Sequence, residues 1–205
     1  MSKDIRPIFY YKNNMVCELK AGGVILYKYE NKNVKFLMIH SNNKYEDFGG
    51  RTDNHDKNIE ETIAREAEEE SNKILDKKSI LNEIHKYKND VCDIRDEIDE
   101  LEVDELEKEF NLFLGNTINK PNNRNIIKEV YSKPSKYLIY IIPTTINYDP
   151  NSFGDREIHD NIRRTVEWVS YEFLTDQNTY DNKLHFRLKS KQFMDAITEI
   201  YNKRM

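Results

Sequence analysis

Tyr45-Glu46-Asp47-Phe48-Gly49-Gly50-Arg51-Thr52-Asp53 leads, within a few residues, to Asn58-Ile59-Glu60-Glu61-Thr62-Ile63-Ala64-Arg65-Glu66-Ala67-Glu68-Glu69-Glu70. The second stretch predicts a helix. Asn58 is a good N-cap, and Glu60 and Glu61 fall in the first turn, where the helix dipole favours negative charge. Ile59, Ile63 and Ala67 form a narrow apolar stripe at i, i+4 and i+8. The helix should end near Asn72, because Asn tolerates the left-handed conformation that closes helices.

Glu66, Glu69 and Glu70 stand at i, i+3 and i+4, so all three project from one helix face. Carboxylates held that close repel one another, and a divalent cation would neutralise them. An all-oxygen set suits Mg2+ or Mn2+. Arg65 lies one turn before Glu69 and can brace the cluster by ion pairing. An acidic helix face alone reads more readily as solvated surface. The Gly49-Gly50 turn upstream shifts that balance, since glycine lets backbone approach a ligand closely.

Outward from this pair of segments, Gly22 to Tyr27 and Val34 to His40 read as a hairpin closed by Glu30-Asn31-Lys32-Asn33. Ser41 to Lys44 reads as a polar loop. Ile126 to Ser132 and Tyr137 to Ile146 read as strands, and the nearly all-apolar Tyr137-Leu138-Ile139-Tyr140-Ile141-Ile142 predicts a central one. Asn147 to Asn161 is a polar loop, and Thr165 to Val169 a further strand. Phe186 to Lys203 predicts a C-terminal helix burying Phe193, Ile197 and Ile200. Strands and helices mix without βαβ regularity, so the class is α+β. Residues 77–113 carry a heptad-like seam through Ile84, Tyr87, Val91, Ile94, Ile98 and Leu101. This helical insertion is compatible with packing on the domain, with a homodimer or with another partner.

The 205 residues suit one domain with that insertion. Net charge is −5, which gives no general case for binding nucleic acid or membranes. Lys183, Arg187, Lys189 and Lys191 form a local basic cluster. It is compatible with a solvated face or with an RNA or polyphosphate contact. Cys17 and Cys92 match no metal spacing and read as reduced thiols. The N-terminus lacks the apolar run of a signal peptide, and no stretch approaches a membrane span, so a soluble, cytoplasmic protein is expected.

The two opening segments together resemble the signature of the Nudix hydrolases, G-x5-E-x7-R-E-U-x-E-E-x-G-U with U aliphatic. Gly50 begins the match, and Arg65-Glu66-Ala67-Glu68-Glu69-Glu70 reproduces the R-E-U-x-E-E core. The resemblance departs in places. Gly50 to Arg65 is one residue longer than in the family. Asp56 stands at the sixth position after Gly50, where the family has Glu, and counting back from Arg65 puts Lys57 there instead. Asn72 replaces the late glycine, Lys73 the final aliphatic and Phe48 the usual proline, with Ile74 as a substitute apolar contact.

The resemblance implies a Nudix-like α/β/α sandwich with a mixed central sheet. It implies metal-dependent cleavage of a diphosphate linkage in a nucleoside diphosphate derivative or related polyphosphate. The basic cluster and the insertion make capped RNA one candidate substrate, beside dinucleotides, sugar nucleotides and inositol polyphosphates. Glu66, Glu69, Glu70 and the Gly49 carbonyl would hold Mg2+ or Mn2+. Glu69 and Glu70 would take part in catalysis. The base would come from the helix or from a loop acid, with Asp155, Glu157 and Asp160 as candidates and Glu157 preferred. Arg51 would contact substrate; Tyr45 and Phe48, just before the Gly-Gly turn, are compatible with stacking a base or with a packing role. Arg65, Asp56 and Gly50 would support the site. His55 and His159 lie where they could meet phosphate, and read more readily as surface histidines. A domain that binds nucleotide without cleaving it, and an interaction module built on the insertion, are the alternatives.

Overall fold

The computed structural model describes residues 6–13, 15–99, 126–158 and 161–204. A hairpin of β1 (Phe9–Asn13) and β2 (Met15–Leu19) opens the chain. The main sheet contains β3 (Ala21–Glu30), β4 (Asn33–Ser41), β5 (Lys44–Glu46), β6 (Phe48–Arg51), β7 (Lys128–Ser132), β8 (Tyr137–Pro143) and β9 (Thr165–Ser170). The helices are α1 (Ile59–Glu70), α2 (Lys77–Asp99), α3 (Tyr171–Thr175), α4 (Gln177–Asn182) and α5 (Lys191–Asn202).

β3 and β4 form the expected hairpin, turning through Asn31 and Lys32 at φ 50° and 66°. A second tight turn, Asn42-Asn43 at φ 49° and 59°, joins β4 to β5 where the sequence suggested only a loop. Asn tolerates positive φ at both turns. β8 lies inside the sheet, parallel to β3 and antiparallel to β7, so the sheet is mixed. β9 pairs with the outer edge of β4.

One departure from regular pairing positions the site. β3 and β4 pair only as far as Leu26 and Leu37. Beyond that point they diverge, and the segment 44–51 fills the gap. Its first half, β5, pairs with β4, and its second half, β6, pairs with β3. Asp47 sits at the switch between the two. Across β3 and β6, Gly22 faces Gly50 and Gly23 faces Gly49.

Side chains alternate between two cores along the sheet. Ile25, Tyr27, Ile139 and Ile141 face a cluster built with Phe193, Ile197 and Ile200 of α5. Val24, Leu26, Leu138, Tyr140 and Ile142 face one built with Ile59, Ile63, Ala64 and Ala67 of α1 and with Ile80 and Ile84 of α2. Helices thus cover both faces of a mixed sheet. Burial on both faces is why β8 reads as a continuous apolar run. The opening part of the predicted insertion packs on its own domain: Ile84 is buried, and Tyr87 meets Tyr140 edge-on at 6.3 Å. α2 continues through Val91, Ile94 and Ile98 of the heptad-like seam, while Leu101, the rest of the predicted insertion and the loop expected from Gly115 to Asn125 lie outside the described residues.

The C-terminal helix begins later than expected. Ser190 caps α5, accepting the Phe193 N–H at 3.1 Å. Phe186 belongs to a separate 3-10 turn, Phe186–Leu188, and is 67% exposed. The apolar period therefore starts at Phe193. Among the described residues, no helix is long and apolar enough to cross a membrane.

Candidate functional site

α1 ends against β6, and local chemistry fixes both of its ends. Asn58 Oδ1 accepts the Glu61 N–H at 2.8 Å, as an N-cap should. At the other end Asn72 and Lys73 take φ of 52° and 66°. The Asn72 carboxamide does more than tolerate that backbone. Its Nδ2 donates to the Phe153 and Arg156 carbonyls at 2.7 and 2.9 Å, and its Oδ1 accepts the Ile158 N–H at 3.1 Å. The end of the acidic helix is thereby tied to the loop that carries Glu157.

Arg65 organises the carboxylates. Its Nε and Nη2 donate to the two oxygens of Asp56, each at 3.0 Å. Nη1 donates to Glu66 Oε1 at 2.9 Å and Glu69 Oε2 at 3.0 Å, and Nη2 also reaches the Arg51 carbonyl at 2.9 Å. Every N–H of the guanidinium is engaged. Asp56 also accepts the Asp53 N–H and the Thr62 hydroxyl, both at 2.8 Å. Burial would raise the Asp56 carboxyl, but Arg65 and these donors outweigh it and hold it below its ordinary value. Asp56, the sixth residue after Gly50, is thus the acid that Arg65 holds, and not Lys57.

Glu70 turns the other way. Its Oε2 accepts the Gly49 N–H at 2.6 Å. Loss of solvation pushes its carboxyl well above the usual range; Arg187 and the Gly49 amide oppose that rise, while Asp47 and Glu46 add to it. Glu66 is raised for the same first reason, with Arg65 opposing and Glu69 and Asp56 adding. The glycines make this approach feasible. A Cβ on Gly50 would strike the Glu66 carboxylate, and one on Gly49 would strike the Tyr137 hydroxyl and β3 backbone.

A second network lies beside the first. Asp47 is fully buried; its Oδ1 accepts Arg187 Nε at 2.6 Å and its Oδ2 accepts the Tyr137 hydroxyl at 2.7 Å. Arg187 also reaches Glu46 at 3.3 Å and lies 4.8 Å over the Tyr137 ring. Gly23 leaves the space that Asp47 and the Tyr137 hydroxyl fill. Arg164, just before β9, is 4% exposed and electrostatically coupled to Glu70, Glu157 and Glu46. Burial pulls its guanidinium below its ordinary value against the pull of those acids.

Several expectations need correction. Phe48 is fully buried against Phe153, so it cannot stack a base. Tyr45, 8% exposed, stacks on His40 at 4.5 Å and donates to Glu167 at 2.9 Å, so it too is packing. Of the basic cluster only Arg187 turns inward, to Asp47; Lys183 and Lys191 are exposed, Lys191 pairing with Asp195 at 2.6 Å, and Lys189 donates to the Asp181 carbonyl, as a solvated face would have it. His55 is held by Asp53 at 2.8 Å on the surface. Arg51 lies exposed at the end of β6, and its carbonyl rather than its side chain meets Arg65. Asp155 is exposed; its carbonyl accepts the Arg164 N–H at 2.9 Å. His159 and Asp160 lie outside the described residues.

Glu66 and Glu69 share Arg65 as their partner, whereas Glu70 turns to the Gly49 N–H. Among the described residues, no three His, Cys, Asp or Glu side chains form a ready metal-holding group. The donor chemistry nonetheless fits a hard cation, because Glu46, Asp47, Asp56, Glu66, Glu69 and Glu70 outnumber Arg65, Arg164 and Arg187. Sequence reasoning passed over Asp47, Tyr137 and Arg164. The signal for the first two was the glycine pair Gly22-Gly23, which faces Gly49-Gly50 and marks where large groups approach the sheet.

No family model matches the chain, and no curated protein matches it. Among solved structures, the chain is similar to a crystal structure of a C. elegans Ap4A hydrolase binary complex. The TM-score is 0.42 and the identity 9%, over 89% of this chain and 98% of that one.

Proposed function

We propose that the protein is a Nudix-type hydrolase that cleaves a diphosphate linkage in a nucleoside diphosphate derivative, with Mg2+ or Mn2+ held by Glu66, Glu69 and Glu70. The observation that carries this reading is the carboxylate end of α1 lying on the glycine strand β6, with Glu70 accepting the Gly49 N–H and Arg65 linking Glu66 and Glu69 to Asp56. The excess of acids over arginines supports a cationic ligand, and the sequence motif supports the same residues. When bound, the cation would lower the pKa of water and stabilise charge on the leaving phosphate.

The chain's own groups supply the rest. Arg65 holds Glu66 and Glu69 side by side, and Asp56 fixes Arg65. Loss of solvation raises the Glu70 carboxyl, and a cation beside it would favour the ionised form. Glu157 is the acid we assign to proton removal from the attacking water, on a loop that Asn72 ties to the end of α1. A substrate panel of nucleoside diphosphate derivatives with Mg2+ and Mn2+ tests this, wild type beside Glu69→Gln and Glu70→Gln. Metal-dependent turnover that falls about a hundredfold or more in both variants supports the reading. Metal-independent turnover, or variants as active as wild type, contradicts it.

A second reading has its own observation. Glu66 and Glu69 are both engaged by Arg65, which favours a domain that binds nucleotide without hydrolysis. Nucleotide binding with no turnover on the whole panel would establish that reading instead.

A further inference from the structure

Burying a guanidinium is costly unless its donors are paired. Arg164 is 4% exposed, and its Nε, Nη1 and Nη2 are all buried without a hydrogen-bond partner among the described residues. The other two arginines of the site are engaged: Arg65 makes five hydrogen bonds, and Arg187 binds Asp47 and Glu46. The acids nearest Arg164 by electrostatic influence are Glu70, Glu157 and Glu46. Glu70 accepts from Gly49, and Glu46 accepts from Arg187. Arg164 thus sits in a negative field while its fork of donors has no partner among the described residues.

The backbone holds that fork in place. The Arg164 N–H donates to the Asp155 carbonyl at 2.9 Å, and the Glu157 N–H donates to the Ile162 carbonyl at 3.0 Å. Asn72 ties the same loop to the end of α1 at Phe153, Arg156 and Ile158. The loop therefore docks a free, charged, planar donor set beside the carboxylate end of the helix. A tetrahedral oxyanion matches such a fork bidentately.

We propose that Arg164 binds the oxygens of the substrate's diphosphate group, on the side facing Glu70. The assignment rests on the hydrolase reading for its substrate class. It makes Arg164 the direct anion contact that the surface lysines and Arg187 do not provide.

The test is calorimetric binding of methylenediphosphonate, a diphosphate analogue with a non-hydrolysable P–C–P bridge, in Mg2+. Wild type is compared with Arg164→Gln and Arg164→Lys, and melting temperatures are recorded alongside. Wild type should bind, Gln should weaken binding tenfold or more, and Lys, which keeps charge but not the fork, should fall between. Melting should not drop in the Gln variant, because an unpaired buried charge is removed. No binding by wild type, or equal affinity in both variants, overturns the proposal. A lower melting temperature with unchanged affinity also overturns it, since Arg164 would then be structural. The two readings fail separately. Arg164-dependent binding without turnover on the panel removes the hydrolase reading alone, whereas turnover with an unchanged KM in Arg164→Gln removes this inference alone.

Discussion

Arg65 grips Asp56 with two parallel hydrogen bonds, Nε to Oδ1 and Nη2 to Oδ2, each 3.0 Å long. The pair joins the loop after β6 to the middle of α1. Removing Asp56 leaves part of the guanidinium fork and the Asp53 N–H without their acceptor, and leaves the Thr62 hydroxyl only the Asn58 carbonyl at 3.4 Å. Asp56→Ala should therefore lose on the order of 2 kcal/mol, read as a lower urea midpoint with an unchanged slope. A midpoint equal to wild type would remove the pair from the account.

The same pair gives a pH signature. The folded Asp56 carboxyl lies below its ordinary value, so the unfolded chain binds the proton more readily. Its stabilisation is complete well above the unfolded value of about 3.9 and is lost as pH falls through the folded value. Asp56→Asn should show a shallower acid-side loss of stability than wild type. Equal acid slopes in urea titrations would contradict this.

Much of this region was legible in the sequence. Asn58, the apolar stripe of α1 and the spacing of Arg65, Glu66, Glu69 and Glu70 all follow from helical periodicity, which is local. The hairpin of β3 and β4 and the central strand β8 follow from alternation and apolar runs. Phe48 and Tyr45 misled because an aromatic beside a glycine turn looks alike in sequence whether it faces substrate or core. Asp47 and Arg187 are 140 residues apart, and no local pattern pairs them. Arg164 became visible only when its burial and its missing partners could be seen together.

Asn72 separates backbone from side-chain roles. Asn72→Gly keeps the positive φ of 52° but removes hydrogen bonds to Phe153, Arg156 and Ile158. The helix end should persist while the protein loses about 1–3 kcal/mol. Hydrogen exchange should rise in the 153–158 loop and not in α1. Unchanged loop exchange would show that the carboxamide holds nothing.

The glycines differ in what a methyl group would strike. At Gly23 it meets the fully buried Asp47, the Tyr137 hydroxyl and the Phe48 carbonyl. At Gly50 it meets the end of the Glu66 side chain. Gly23→Ala should cost about 1–3 kcal/mol through overpacking, and Gly50→Ala clearly less, because Glu66 can swing aside. Equal losses in thermal melts would mean that Glu66 is as fixed as Asp47.

His185 should set a separate acid response. Loss of solvation and then Arg187 depress its imidazole to about 4, so it is neutral in the fold near pH 7. Its unfolded value is about 6.5, so stability is complete above that value and is lost as pH falls towards 4. His185→Asn should lose less stability than wild type between these limits. A loss as large as that of wild type would assign the acid response to other groups.

The claim that the carboxylate end of α1 holds a divalent cation is tested most directly by Mn2+ titration, following free Mn2+ by electron paramagnetic resonance. Wild type should show a saturable site, and Glu69→Gln and Glu70→Gln, folded to the same extent, should each weaken it tenfold or more. Equal Mn2+ affinity in wild type and both variants, or no saturable site in wild type, would contradict the account.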